Sequence, residues 1–420
     1  MIRLVAALLL LFVAAPAEAR QGGHWIGGWA TSVYAPEERN TLPVADLADA
    51  TLRQVVRVTL GGARLRVRLS NSAGTQPLRI GAAHVALSAD PASARIGRGT
   101  ALTFSGQAEI VIPAGADYVS DPVPLPVAAN GHLTISLYLP EAPARQTGHP
   151  GSRATSYLAR GNRVAAPDLP GAQTVNRWYQ LAGVDVEAPA HAAAIVTFGD
   201  SITDGYGVQP NTDRRWPDYL ARRLQADPAT RHLAVLNQGI GGNRILLDGA
   251  GPNALARFER DVLSQEGVRF LVILEGVNDL GTATRDGPIS AEAHRALVRN
   301  MIAAYAQMVQ RARARGIKVI GATIIPFFGS SYYHPDGGNE ADRQALNAWL
   351  RAPGNVDAVL DFDAALRDPA DPRRMLPAMD SGDGLHPSLA GYEAMANAVP
   401  LSLFAAPALA APVDPVQQRR

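Results

Sequence analysis

The sequence predicts an all-β sandwich or jelly roll over about residues 20–188, followed by an α/β unit with a parallel sheet covered on both faces over about 189–405. Three observations carry this. The apolar pattern of the first half has period two, the short apolar runs of the second half alternate with longer helical patterns, and the change falls at the Pro/Ala-rich stretch "EAPAHAA", residues 187–193.

In "RVTLGGARLRVRLSN", Val58 and Leu60 lead into Gly61-Gly62, after which Leu65, Val67 and Leu69 alternate with Arg64, Arg66 and Arg68, which reads as a hairpin with one buried face. "HLTISLYLP" puts Leu133, Ile135, Leu137 and Leu139 on one face, and runs near 78–87 and 108–112 fit further strands. In the second half the strand candidates are 193–198, 233–238, 269–276, 318–325 and 358–362, each apolar on both faces. Between them, Trp216, Tyr219, Leu220, Arg223 and Leu224 follow a spacing of three and four, the mark of an amphipathic helix.

The 420 residues carry a net charge of +1 with scattered basic residues, so neither nucleic acid nor an anionic membrane is called for as a partner. The chain has no cysteine, which excludes thiol nucleophiles and cysteine-based zinc sites. Residues 1–19, a basic start, an apolar run and Ala17-Glu18-Ala19, read as a cleaved leader, so export to the periplasm or medium is expected. The apolar run is shorter than the roughly 20 residues of a membrane anchor. Residues 406–420 read as a tail, and oligomeric state is not legible.

Parallel sheets bind ligands at the C-terminal ends of their strands. There the sequence puts Gly199-Asp200-Ser201 after the first strand, Gly239 to Arg244 after the second, Gly276-Val277-Asn278-Asp279 after the third, and "DSGDGLHPS" before a last helix beginning near Pro387. A serine hydroxyl needs a base before it can attack, and the imidazole of His386 is the candidate. Asp383, three residues earlier, can orient that ring. A tetrahedral intermediate needs donors, and the amides of Ser201 and Gly242 with the side chain of Asn278 can supply them. Asp200 and Asp279 read as loop-tying residues rather than acids.

Together these blocks resemble the SGNH hydrolases, also called the GDSL esterase/lipase family, over about residues 190–405. The resemblance implies a flavodoxin-like sheet, Ser201 as nucleophile, His386 as base, Asp383 as orienting acid, and Gly242 and Asn278 as oxyanion donors. Gly239 and Gly241 compete with Gly242 for the second block; Gly242 is chosen because the family places this glycine five residues beyond the asparagine that is Asn237 here. Ile202 stands where the family usually has leucine. The β-half resembles, more loosely, the extra domain of a bacterial subgroup near xylan acetylesterases.

The loop 326–340 carries Phe327, Phe328, Tyr332, Tyr333 and His334 and is read as a substrate wall, with Phe327, Tyr332 and Tyr333 as contacts beside Arg244. Arg244 could also pair with Glu275 or Asp248. Zinc-peptidase, P-loop and dinucleotide motifs are missing, so neither metal nor cofactor is expected. The expected function is serine ester hydrolysis through an acyl-enzyme, with deacetylation of a poly- or oligosaccharide first. A lipase or simple-ester hydrolase is the alternative, and a glycan-binding envelope protein with residual activity is the alternative of another class.

Overall fold

The computed structural model describes residues 24–405; the leader and the tail read from the sequence lie outside the described residues. Residues 25–187 form antiparallel strands in several sheets. The larger two are a four-stranded sheet built on Trp25–Ala30, Leu181–Glu187, Leu65–Ser70 and Asp117–Val119, and a six-stranded sheet centred on Ala50–Arg57, His132–Leu139 and Ala82–Ser88. The alternation of "HLTISLYLP" does produce one strand, whose Leu133, Ile135, Leu137 and Leu139 are fully buried.

The hairpin read from "RVTLGGARLRVRLSN" is wrong. Ala50–Arg57 pairs with His132–Leu139 in the six-stranded sheet, whereas Leu65–Ser70 pairs with Leu181–Glu187 in the four-stranded one, so Val58 to Arg64 cross between sheets. The two glycines serve close approach rather than a tight turn. A Cβ on Gly61 would lie 2.5 Å from the Val127 carbonyl oxygen, and one on Gly62 2.6 Å from that of Glu187.

Residues 193–360 contain the parallel sheet. Its strands, in chain order, are Ala193–Gly199, Leu233–Gly239, Val268–Leu274, Lys318–Ala322 and Ala358–Leu360, and their spatial order is 2-1-3-4-5. That is the flavodoxin-like order, with its switch point between the first and third strands. The first strand is buried throughout, as its unbroken apolar run requires. The spacing at 216–224 becomes the helix Trp216–Ala226, with Trp216, Leu220 and Leu224 inward. Among the described residues no helix is long and apolar enough to cross a membrane.

The two halves share one continuous apolar core. Trp25–Ala30 lies against Leu233–Gly239, which is an edge strand of the parallel sheet. There the Thr59 hydroxyl donates to the Val235 carbonyl (3.0 Å) and accepts from the Val235 amide (2.8 Å). The β-half therefore satisfies backbone groups that a bare sheet edge would leave open.

Candidate active site

The polar clusters of the first and third strands flank the switch point, and that of the second lies beside the first. At the end of the first strand Asp200 turns extended, and its Oδ1 accepts the Ile202 amide (2.9 Å), which caps the short helix Ser201–Asp204. As the first helical residue, Ser201 has an amide with no intrahelical acceptor. Its Oγ lies 2.8 Å from His386 Nε2.

On the far side of the ring, His386 Nδ1 lies 2.7 Å from Asp383 Oδ2. Asp383 Oδ1 accepts the amides of Leu385 (2.9 Å) and His386 (2.8 Å), so the three-residue spacing closes as one turn. Burial raises the Asp383 pKa, but the His386 ring and these amides outweigh it and hold the carboxylate well below the usual range. Tyr206 stacks on the imidazole at 4.1 Å between centroids, a neighbour that no sequence pattern announced.

Gly242 sits at φ +72°, and a Cβ there would meet only Ala250 Cβ, at 3.9 Å, so the space over its α-carbon is open. Asn278 belongs to the helix Val277–Thr284. Its Nδ2 donates to the Asn243 carbonyl (2.7 Å), and its Oδ1 accepts from the Tyr333 hydroxyl (2.7 Å). One Nδ2 hydrogen is thereby left over. Ser201, Gly242, Asn278, Asp383 and His386 all line one cleft of about 840 Å³.

The aromatic loop divides. Tyr332 is 58% exposed at the cleft, where its hydroxyl accepts from Arg285 Nη1 (3.2 Å). Tyr333 lines the cleft but is buried beneath Asn278, and burial pushes its hydroxyl up to about 12, which keeps it a donor. Phe327, expected as a substrate contact, is instead 1% exposed in the core, because the chain after the fourth strand turns this ring inward. Arg244 lines the cleft and donates to the backbone carbonyl of Asp248, whereas Glu275 pairs with Arg257. The β-half supplies part of the cleft wall through Tyr34, Glu37, Arg39, Asn40 and Arg153.

Beneath the cleft lie three buried carboxyl groups, Asp200, Glu275 and Asp279. Asp279 accepts the amides of Ile245 (2.7 Å) and Leu246 (3.0 Å), tying the second-strand loop to the third. Burial pushes it up to about 6 despite those amides. Burial first, and the Asp200 charge second, push Glu275 well above the carboxylate range against the pull of Arg257. Asp200 is raised chiefly by burial as well.

Acids with raised folded-state pKa values contribute stability that is complete below their unfolded values, about 4, and is lost as pH rises through the folded ones. These groups should therefore make the protein less heat-stable at pH 8 than at pH 5, and Glu275→Gln should flatten that difference. Thermal unfolding of both proteins across this window is the measurement; an unchanged slope in the variant would count against the assignment.

A serine, a histidine and an aspartate are thus hydrogen-bonded in series at the switch point of a flavodoxin-like sheet, an arrangement able to activate a serine hydroxyl. Residues 197–394 match the GDSL-like lipase/acylhydrolase family, and this part of the chain belongs to it; the protein is a carboxylic ester hydrolase. No curated protein matches the sequence. Among solved structures, it is similar to a G-D-S-L family protein from Desulfitobacterium hafniense DCB-2 (23% identity, 49% of this chain and 97% of that one, TM-score 0.37). It is also similar to an acetylxylan esterase from Geobacillus stearothermophilus (22%, 49% and 91%, TM-score 0.36). A third is a GDSL-like lipase from Bacteroides thetaiotaomicron VPI-5482 (22%, 49% and 84%, TM-score 0.34). Among the described residues no group of three or more acidic or histidine side chains is placed to hold a metal ion.

Proposed function

We propose that this is an exported esterase that removes acetyl groups from a poly- or oligosaccharide through an acyl-enzyme on Ser201. The observation that carries the chemistry is the pair of hydrogen bonds at His386, 2.8 Å to the Ser201 hydroxyl and 2.7 Å to Asp383. His386 Nε2 takes the proton as Ser201 Oγ attacks the ester carbonyl, and Asp383 stabilises the imidazolium. The oxyanion is held by the amides of Ser201 and Gly242 and the spare Nδ2 hydrogen of Asn278. His386 returns the proton to the leaving alcohol, and water then repeats the sequence to free acetate and Ser201.

The glycan reading is supported by the cleft, an open groove lined by arginine, tyrosine and asparagine side chains rather than an apolar channel for a long acyl chain. Export is supported by the leader pattern of residues 1–19. In this reading residues 24–188 pack on 189–405 and help wall the cleft. A series of p-nitrophenyl esters from acetate to palmitate, run beside acetylated xylan, tests the reading. A short-acyl preference with release of acetate from the polymer is expected; a rate that climbs with chain length would overturn it.

Tyr333 acts here by aiming Asn278. Asn278→Ala is expected to lower kcat about 10²–10³-fold. Tyr333→Phe, which removes one aligning hydrogen bond, should lower kcat about tenfold with KM little changed. Steady-state kinetics on p-nitrophenyl acetate reads both, and a Tyr333→Phe defect confined to KM would remove the positioning role.

A further inference from the structure

We infer that the cleft takes an anionic ester, and that Arg153, from the β-half, binds the anionic group of the glycan that carries the acetyl. This rests on the ester-hydrolase reading of Ser201 and adds the charge of its substrate.

Four guanidinium groups line the cleft, those of Arg39, Arg153, Arg244 and Arg285, against three carboxylates, Glu37, Asp204 and Asp383. Each carboxylate is already engaged. Glu37 pairs with Arg39 at 2.7 Å, Asp204 Oδ1 lies 3.0 Å from His149 Nε2, and Asp383 is held by His386. Arg285 has only Asp286, at 3.6 Å, and Arg244 donates to a neutral carbonyl. The lining thus holds one guanidinium more than carboxylates beside Ser201, and a concave, partly desolvated site focuses such a field on an incoming ligand.

Arg153 is the most telling of the four. Its Nε–H is buried without an acceptor, and its only carboxylate influence in the cleft is at a distance, where its charge joins those of His149 and Arg215 in holding Asp204 low. Its guanidinium carbon lies 5.7 Å from the ring centroid of Tyr206, which itself stacks on His386. The Arg153 backbone stands at φ +49°, a conformation rare outside glycine and asparagine. A backbone held there by its surroundings fixes the point from which the Arg153 side chain leaves the chain. A guanidinium offers a planar fork of donors to a carboxylate, sulfate or phosphate oxygen pair, so the task that fits is gripping an anion next to the base.

The test compares kcat/KM for three acetylated sugars, a neutral xylo-oligosaccharide, an oligogalacturonide and a sugar phosphate, with p-nitrophenyl acetate and Ser201→Ala as controls. The parent enzyme should prefer an anionic sugar, and the stronger arm identifies the anion. The preference ratio should fall at least tenfold in Arg153→Gln and further in Arg153→Glu. In the parent, raising salt should increase KM for the anionic sugar several-fold more than for the neutral one, a readout that needs no variant. A ratio near one with no salt effect, or a ratio unchanged within twofold in Arg153→Gln, overturns the inference while leaving the esterase standing. Unaltered p-nitrophenyl acetate hydrolysis by Ser201→Ala overturns the esterase reading itself.

Discussion

Ser201→Ala should lower turnover of p-nitrophenyl acetate about 10⁶-fold, the size of loss seen when the serine of a hydrogen-bonded triad is removed. A nucleophile 2.8 Å from its base, with that base 2.7 Å from a carboxylate, is aligned before substrate arrives. Little else should change, because Ser201 is small and the helix cap comes from Asp200 rather than from Ser201. The variant should keep its melting temperature and should no longer be labelled by a fluorophosphonate. Labelling that survives the substitution would place the nucleophile elsewhere.

Arg257→Met should be the most damaging single change to stability, at about 3–5 kcal/mol, because it strips a buried guanidinium from the charges and carbonyls it holds. The Arg257 side chain is fully buried. It donates to Glu275 (3.0 Å), Asp261 (3.2 Å), the Gly199 carbonyl (3.0 Å), the Gln238 carbonyl (2.7 Å) and the Ser32 hydroxyl of the β-half (2.9 Å). Methionine fills much of the space but leaves these acceptors without a donor. Because Glu275 can protonate, the loss should be smaller at pH 5 than at pH 8. Denaturant unfolding at both values measures it, and a change under about 1 kcal/mol would mean that the network relaxes around the gap.

How much of this was legible depends on whether the feature is local. The parallel sheet was, because strands covered on both faces read as unbroken apolar runs, although 269–276 and 318–325 end two and three residues early as strands, at Leu274 and Ala322. Ser201, Asn278, Asp383 and His386 were candidates because each follows a strand or precedes a helix in a short polar cluster, and the structure brings them to one cleft. The crossing at Gly61-Gly62 was missed because a glycine pair looks alike whether it turns the chain or admits a neighbour. Phe327 and Tyr333 share a loop and a composition, and only packing separates the buried ring from the hydroxyl under Asn278. Arg257 and Arg153 gave no signal at all, since their partners or their lack of them are set by segments far away in the chain.

The cleft wall contributed by the β-half also separates two tasks along the polypeptide. Residues that would cut the ester sit at helix starts and turns beyond the strands of the parallel sheet, whereas Arg153 sits before Ser156–Arg160 in the antiparallel half. Substrate choice can then be rewritten on one stretch of chain without disturbing the strands that align Ser201. A library confined to residues 34–40 and 150–155 is the natural place to look for new selectivity.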